Sequence, residues 1–491
     1  MAFLTEAANR GSVSTGYEID GSICFEDAND ENLVKNYSGD GDRRTWTFST
    51  WIKKQGFGTT AAIGYDYMHL FGAGNTSIHF LNNDRLRIEL YDGSTTRYAD
   101  TSMLFRDPAA WYHIVVQLDS TQGTAADRVK IWVNGIRQTA FNNNTYTNMS
   151  QNDQFGFGDA SANYQFGYSF IGGANNRGFS GYMAETHYAN GTAYEATDFG
   201  EYDDNNIWIP KEFEGSHGSK GFYFKFDDSS NVGKDSSSGG IGDFSPNTNT
   251  TSADLATDSP TNNFAVPNIL IGTGGYFVMT EGGTRGVLST AGPGNNTGGV
   301  SLISTIPVSK GKWYFEAQNT NSGDAYVYLG VGDTGSLSLW GYDGVKLGAQ
   351  NSSSVGWYGG GAQDGKVYGR STGTNYTSTN PVTWETEVVG LALDLDNEVM
   401  YFHKSGTYIN SGDPANGTDN DGQYDLVTGV DDQWLMAVSA YNLATWNVNF
   451  GGYTAMTISS AETDANGYGT FEYAPPSGYY ALCTKNLAEY G

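Results

Sequence analysis

The chain has 491 residues, which is too many for a single hydrophobic core, so two or three domains are expected. Its 54 acidic residues outnumber 26 basic ones and give a formal net charge of −28. Affinity for a phosphate backbone comes from lysine and arginine, so this charge argues against nucleic acid as a partner. The sequence contains no apolar run of about 18 residues, which predicts no membrane span, and its first residues do not have the pattern of a secretory signal.

The composition favours an all-β protein. Tyrosine (33) and phenylalanine (25) are abundant, glycine reaches 66 residues, and only 16% of the residues are charged. Aromatic side chains pack well on pleated sheets, and glycine supplies tight turns. The two cysteines, Cys24 and Cys483, lie near opposite ends of the chain. We expect no disulfide framework and a structural thiol at each position.

Strand patterns begin in the first half of the chain. They are "RTWTFSTWIKK" (44–54), "LRIELYDG" (86–93), "WYHIVVQLDS" (111–120), "RVKIWVNGIRQ" (128–138) and the later "FSGYMAETHYANG" and "KGFYFKF". The first of these has the near-alternation of a half-buried strand. Asn134–Gly135 is the strongest short signal for a hairpin turn. Short antiparallel strands separated by turn residues favour a sandwich or jelly roll.

The stretch 227–267 is rich in Ser, Asn, Thr, Asp and Gly, and it indicates a linker or a long ordered loop. The second half then returns to strand patterns. They are "KWYFEAQ" (312–318), "AYVYLGVGD" (325–333), "VVGLALDLD" (388–396), "VMYFHKSG" (399–406), "WLMAVSAY" (434–441) and "TWNVNFGG" (445–452).

Two families are similar to these halves. Residues from about Tyr17 to Phe226 resemble concanavalin A-like jelly rolls of the laminin-G and pentraxin type, through "TWTFSTWIKK", "WYHIVVQLD", "VKIWVNGIRQ" and "FSGYMAETHYANG". Residues from about Val266 to Leu482 resemble a SPRY domain, through "KGKWYFEA", "YLGVGD", "GKVYG", "VVGLALDLDNEVMYFHKSG" and "WNVNFGG". We therefore predict two antiparallel β-sandwich (jelly-roll) domains in tandem.

The predicted order is an N-terminal arm (1–16), a laminin-G-like jelly roll (17–228), a Ser/Thr/Asn-rich linker (229–265) and a SPRY-like sandwich with a C-terminal tail (266–491). The joined arrangement resembles virion-associated proteins of tailed phages and prophages. The phrases that carry this resemblance are "GYEIDGSICF", "TDSPTNNF" and "YAPPSGYYALCTKNLAE". The resemblance implies a virion or tail-appendage protein and implies no catalysis.

Asp394 and Asp396 stand one residue apart at the end of an apolar run. Such a pair could bind a metal, but the parallel α/β scaffold that normally carries an Asp-x-Asp metal site is not predicted here. In an extended strand, Leu391, Leu393 and Leu395 share one face, and both aspartates share the other. We expect a hairpin with leucines facing inward and aspartates facing solvent.

"YEIDGSICFED" resembles part of a glycosidase acid motif. Glu18 and Asp20 have the required spacing, but Ser22 occupies the third position and the next acid is Glu26. Glycosidic cleavage needs a matched carboxylate pair, so a polysaccharide-degrading enzyme is disfavoured. The sequence shows no Gly-x-Ser-x-Gly elbow, no zinc spacing among its six histidines and no phosphate loop. His113 and His403 lie within strand patterns and are expected to be half-buried packing residues.

No cofactor is expected apart from a structural calcium ion, which three oxygen-rich turns could hold: 26–32, 413–422 and 462–469. In the last of these, Glu462, Asp464 and Asn466 imitate the start of a calcium loop, but Tyr473 replaces the closing glutamate. The alternative is Asx-rich turns that bond their own backbone.

The candidate ligand-binding residues are Trp340, Tyr342 and Asp343, in "SLWGYDG". The face of a sugar can stack on such aromatic rings while aspartate binds its hydroxyls. The alternative is that Trp340 packs in the core or in a subunit interface. In SPRY domains, the loops at one end of the sandwich generally bind the partner, which favours this stretch.

The predicted function is non-enzymatic: a structural protein of a tailed-phage virion, as a tail fibre, knob or capsid appendage. It would adhere to a host surface glycan or receptor, or attach to other virion proteins, as a homo-oligomer with a trimer favoured. Its location would be the virion, made in the host cytoplasm and released by lysis, with no membrane or nucleic-acid partner. The alternative is a secreted or cell-surface bacterial lectin.

Overall fold

The structure is a computed structural model, and it describes residues 16–36, 38–57, 67–168, 178–270, 277–288, 300–321, 327–334, 347, 354–359, 365–369, 374–376, 387–417, 422–426, 433–440 and 444–491. Strands make up 43% of it and helices 7%, in several antiparallel sheets. This confirms the prediction of an all-β chain with tandem β-sandwiches. The chain divides into an N-terminal unit, Ser14–Thr261, and a C-terminal unit, Asn262–Gly491.

The part of the N-terminal unit that the structure describes forms two large sheets and one separate hairpin. Its strands are β1 (Ser22–Phe25), β2 (Leu33–Lys35), β3 (Thr45–Lys54), β4 (Tyr67–Ala73), β5 (Thr76–Leu81), β6 (Leu86–Tyr91), β7 (Thr96–Thr101), β8 (Trp111–Asp119), β9 (Val129–Val133), β10 (Ile136–Arg137), β11 (Phe141–Asn143), β12 (Tyr164–Phe166), β13 (Gly181–Asn190), β14 (Gly200–Tyr202), β15 (Trp208–Pro210), β16 (Phe222–Phe224), β17 (Ser245–Pro246) and β18 (Leu255–Ala256). Short 3₁₀ turns span Asp27–Asn29, Ala125–Asp127, Thr145–Asn148, Ala196–Asp198 and Ser252–Asp254.

Sheet I has the order β10-β9-β8-β3-β13-β1-β18, with β16 also paired to β13. Sheet II has the order β11-β7-β6-β5-β4-β12-β2-β17, and β14 pairs with β15. Apolar side chains from both sheets meet in one core, as the stacked rings of Phe48 and Phe71 show, with centroids 5.4 Å apart. The strands predicted for this half all form. The Asn134–Gly135 turn joins β9 to β10 with φ values of 47° and 75°, as a primed hairpin turn requires.

Strand β3 differs from its prediction because both of its faces are buried. Trp46 and Phe48 belong to the core, whereas Trp51 stacks on His113 on the opposite face. That second face is also covered: Trp208 of β15 donates a hydrogen bond to His113. The sequence pattern predicts a strand with one buried face, but β3 lies between the core on one side and the layer that contains Trp208 on the other.

The predicted linker 229–265 is largely ordered on the N-terminal unit. Ser245–Pro246 pairs with β2, and Leu255–Ala256 pairs with β1. Asp258 is fully buried. The boundary between the units therefore lies at Thr261–Asn262, and the composition that suggested a linker belongs to a polar loop whose backbone finds partners in both sheets.

The described residues of the C-terminal unit also form two sheets. Its strands are β19 (Phe277–Thr280), β20 (Arg285–Leu288), β21 (Val300–Ile303), β22 (Lys312–Asn319), β23 (Val327–Asp333), β24 (Ser354–Tyr358), β25 (Val367–Gly369), β26 (Thr374–Tyr376), β27 (Val388–Asp394), β28 (Val399–Lys404), β29 (Thr407–Tyr408), β30 (Tyr424–Asp425), β31 (Trp434–Ala440), β32 (Ala444–Asn449) and β33 (Tyr480–Ala481). A 3₁₀ turn spans Ile409–Ser411, and helix α1 spans Thr484–Tyr490.

Sheet III has the order β19-β20-β32-β22-β27-β28-β29, with β30 on β28 and β33 parallel to β22. Sheet IV has the order β21-β31-β23-β24-β25-β26. The inner faces of sheets III and IV form the second core. There the ring centroids of Trp357 in sheet IV and Phe402 in sheet III are 5.7 Å apart. No helix in the described part of the chain is long and apolar enough to cross a membrane.

The prediction that Asp394 faces solvent is wrong. The leucines do face inward, but Asp394 is fully buried, because the segment Phe471–Ala481 covers the outer face of sheet III. Its carboxylate pairs with Lys312 Nζ at 2.7 Å and accepts two hydrogen bonds from Asn397. Asp396 is exposed and accepts from Gly311 N. The two carboxylates therefore stabilise the β27–β28 hairpin and its contact with the start of β22.

Neither cysteine forms a disulfide, and both thiols are buried. His113 and His403 are also buried completely, rather than by half, because each unit has this additional outer layer.

Candidate functional site

A cavity of about 410 Å³ opens at one end of sheet II in the N-terminal unit. The β4–β5 turn, the β6–β7 turn and the segment 156–165 surround it. The side chains in its wall include Arg43, Asn75, Tyr91, Asp159, Asn163 and Gln165. Its volume lies within the range of about 300–1,000 Å³ that is typical of small-molecule sites.

Tyr91 supplies the aromatic surface of this cavity. It is the last residue of β6, is half-buried, and donates a hydrogen bond from its hydroxyl to Gly93 O at 2.8 Å. The intervening Asp92 accepts hydrogen bonds from Ser94 N and Thr95 N, which fixes the turn. The ring is thus held in place before any ligand arrives, so binding costs little side-chain entropy.

Arg43 and Asp159 form the charged part of the wall. The guanidinium lies 2.8 Å from Asp159 Oδ2 and donates through Nε to Phe155 O. Partial burial opposes ionisation of Asp159, but hydrogen bonds from Ser161 and the charge of Arg43 together lower the pKa of this carboxyl. The two charges neutralise one another, and the pair anchors the loop 156–165.

A close approach of two backbones shapes the floor. A Cβ atom on Gly156 would lie only 2.3 Å from Ala73 O, so only glycine allows this loop to lie against the end of β4. Gly74 adopts φ = 58° in the two-residue turn that places Asn75 at the rim. These positions fix the distance between the loops.

The remaining wall is polar and uncharged. Asn75, Asn163 and Gln165 each carry an amide with donors and an acceptor. Amides of this kind match hydroxyl groups, which also donate and accept, while an aromatic ring suits the apolar face of a sugar. The cavity is therefore suited to a small, uncharged, hydroxyl-rich ligand.

The sequence-predicted ligand residues Trp340, Tyr342 and Asp343 lie outside the described residues, so their proposed role stays a prediction. The residues that line the cavity were not predicted from the sequence. The "YDG" at 91–93 is a visible aromatic-turn signal. However, nothing in the sequence places it beside residues 43, 75 and 163.

The predicted metal residues have other partners. Asp464 is buried; its Oδ1 accepts from Asn466 N and Tyr468 N, and its Oδ2 accepts from Ala481 N and Asn486 Nδ2. The side chain of Glu462 is exposed, and its backbone forms an antiparallel bridge with the backbone of Phe471. Within the described ranges, no group of three or more His, Cys, Asp or Glu side chains has the geometry of a metal site.

The glycosidase-like acids do not assemble either. Glu18 and Asp20 are exposed and precede β1, which begins only at Ser22. Glu26 is buried beyond the end of that strand and accepts a hydrogen bond from Ser180 Oγ at 3.3 Å. The three acids thus have different environments and no common cleft.

A serine–histidine contact occurs on the outer face of sheet I, but it has the wrong tautomer for catalysis. Trp208 Nε1 donates to His113 Nδ1 at 3.0 Å, and an indole nitrogen can only donate. His113 Nε2 must therefore carry the proton and donate to Ser49 Oγ, 2.8 Å away. Burial also lowers the pKa of His113 to about 3, so this imidazole cannot take a proton from the serine.

Comparisons with known proteins find three solved structures and one family profile that are similar to parts of the chain. Three solved structures are similar at low TM-scores. They are the SPRY domain of human HERC1 (13% identity, 34% of this chain, 87% of that chain, TM-score 0.24), the PSpry domain of TRIM65 (13%, 38%, 92%, 0.27) and a candidate carbohydrate-binding protein of Bacteroides ovatus (19%, 47%, 59%, 0.32). No curated protein matches the chain. A family profile described as the concanavalin A-like lectin/glucanases superfamily matches residues 27–193, a range that contains every wall residue named for the cavity.

Proposed function

We propose that the protein binds carbohydrate in the loop cavity of its N-terminal unit. The observation that carries this proposal is the ring of Tyr91, fixed by its bond to Gly93 at the wall of a cavity lined by side-chain amides. A sugar ring would stack on Tyr91 while Asn75, Asn163 and Gln165 bond its hydroxyls. The match of residues 27–193 to a lectin and glucanase superfamily supports the same ligand class.

The expected sugar is neutral. Arg43, the cation in the named wall, is already paired with Asp159, so a carboxylate or sulfate on a glycan would lack a counter-charge there. The net charge of −28 repels polyanions at longer range. A neutral hexose or N-acetylhexosamine fits these conditions best.

The activity that we propose is binding without hydrolysis. What supports this is the separation of Glu18, Asp20 and Glu26 and the proton position on His113, which leave those candidates without acid–base geometry. Incubation with a bound polysaccharide, followed by measurement of reducing ends, tests it. Steady release of sugar would show that the protein is an enzyme.

The setting that we propose is the virion of a tailed phage, on the basis of the sequence phrases at residues 16–25, 257–264 and 473–489. There the protein would project as a tail fibre, knob or capsid appendage and adhere to a host glycan, or attach to other virion proteins. A homo-oligomer, with a trimer favoured, would multiply weak sites by avidity. Sedimentation analysis measures the oligomer, and blocking of phage adsorption by the purified protein tests the setting.

A bacterial cell-surface or secreted lectin would use the same cavity, so the two settings differ in gene context rather than in site chemistry. The direct test of binding is a glycan array probed with the full chain, followed by competition with free sugar. Binding to neutral glycans that free hexose or N-acetylhexosamine displaces is the expected result. Binding confined to acidic glycans would contradict the assigned chemistry.

A further inference from the structure

Consecutive residues of β3 form two buried lysine–aspartate pairs. Lys53 Nζ lies 2.8 Å from Asp258 Oδ2, and Lys54 Nζ lies 2.8 Å from Asp84 Oδ1. None of the four side chains is more than 2% exposed. Complete burial of such pairs is unusual, because desolvation of two charges can cost more than their attraction returns.

The two aspartates differ in the charge of a second hydrogen-bond donor. Asp84 Oδ2 also accepts a hydrogen bond from Arg106 Nε at 2.7 Å, and more than half of this arginine is exposed, so its charge is retained. Two cations therefore hold Asp84 as a carboxylate. Asp258 Oδ1 instead accepts from Trp111 Nε1 at 3.2 Å, and an indole is a neutral donor.

Burial shifts Lys53 towards its neutral form. Burial lowers the pKa of the Lys53 ammonium, although the charges of Asp258 and Asp107 oppose the change. The ring of Tyr182 also opposes the change, because Nζ lies 5.6 Å from the ring centroid and an aromatic face attracts an ammonium. Transfer of one proton from Lys53 to Asp258 would replace two buried charges by an amine and a carboxylic acid in contact.

We propose that Lys53 and Asp258 condense to an isopeptide bond between Nζ and Cγ. The ammonium first gives one proton to the carboxylate, and the lone pair of the resulting amine attacks Cγ. A C–N bond forms and one C–O bond breaks. The nitrogen loses two protons in all, and they leave with one carboxyl oxygen as water. The reaction needs no oxidant, reductant or cofactor.

Position within the fold supplies the driving force. Groups held in reactive contact behave as if present at about 10⁵–10⁸ M, which can offset the cost of forming an amide in water. The bond would join residues 205 positions apart in the sequence. It would tie β3, in the middle of sheet I, to the segment that ends the N-terminal unit at Thr261.

Intact mass spectrometry of the denatured full chain tests the proposal directly. The expected mass is lower than the sequence mass by one water molecule. After trypsin digestion, residues 45–54 and 235–285 should appear as one branched peptide, with no cleavage after Lys53. An Asp258→Ala chain should have its full sequence mass.

The neighbouring pair provides the matched control, since Lys54 and Asp84 have the same separation and burial. An Asp84→Ala chain should keep the loss of one water. A wild-type chain with its full sequence mass, or a branched peptide that joins Lys54 to Asp84, would overturn the proposal. The wild-type measurement decides the matter even if a variant does not fold.

Discussion

Glu316 of β22 gives the C-terminal unit a specific dependence on pH. Its side chain is fully buried. Its Oε1 accepts hydrogen bonds from Tyr473 N at 2.8 Å and Tyr314 Oη at 2.9 Å, and its Oε2 accepts from Glu472 N at 2.9 Å. Burial raises the pKa of this carboxyl from 4.5 to about 7, although these donors pull it in the opposite direction.

The sign of the effect follows from proton binding. Between about pH 4.5 and about pH 7, the folded chain keeps the Glu316 proton and the unfolded chain has lost it. The free energy of unfolding therefore falls as pH rises through this window and levels off above it, by about 3 kcal/mol in total. Glu316→Gln cannot ionise, so its curve should lack this decline. Calorimetric unfolding of the full chain at stepped pH measures the difference between wild type and variant.

The comparison uses the pH dependence rather than the absolute stability, because glutamine also loses one of the acceptor oxygens. Glu462→Gln removes a carboxylate from an exposed side chain of the same unit, and its curve should follow that of wild type. If the difference between wild type and Glu316→Gln is the same at about pH 5 and about pH 8, burial does not control this carboxyl and the reasoning fails.

Three further substitutions test the fold and the site. Gly135→Ala should lower the free energy of unfolding by at least about 1–2 kcal/mol, because φ is 75° there and a Cβ would lie 2.4 Å from the Trp208 ring; an unchanged denaturation midpoint would contradict this. Asp464→Ala should cost about 3 kcal/mol by leaving its donors unpaired. Added calcium should leave the wild-type melting temperature unchanged; an increase would restore the metal interpretation of that loop. Gly156→Ala should weaken glycan binding by separating the loop from β4, and full affinity in that variant would show that the floor of the cavity is not needed.

Local patterns in the sequence were sufficient to predict most of the strands. The alternation and turn at Asn134–Gly135 define β9 and β10 because hairpin geometry depends only on neighbouring residues. The same holds for the hairpin of β27 and β28, in which the leucines of β27 face the core as the pattern indicates.

The outer layers could not be predicted in the same way. Asp394 was expected in solvent because alternation shows only that two faces differ; it does not show what covers the second face. Residues 471–481 cover it from a distant part of the chain. The structure of residues 229–261 has the same origin, since two short strands in this segment pair with β1 and β2, which are distant in the sequence.

The cavity is likewise a product of topology. Asn75, Tyr91 and Asn163 are far apart in the sequence, and strand pairing in sheet II brings them to one end. Arg43 lies just before β3 of sheet I and is held there by Asp159 and Phe155. Each of them alone is an ordinary loop residue. A search for aromatic residues beside glycine finds Tyr91, but only together with many others.

The most direct test of the central claim is a calorimetric titration of a neutral glycan, chosen from the array, into wild type, Tyr91→Ala, Tyr91→Phe and Tyr202→Ala. Tyr202 is 45% exposed and lies outside the cavity wall, so it controls for loss of a surface tyrosine. We predict that Tyr91→Ala weakens binding at least about 10-fold, the equivalent of about 1.4 kcal/mol, while Tyr91→Phe keeps most of the affinity and Tyr202→Ala keeps all of it. Equal affinity in wild type and Tyr91→Ala would contradict the account.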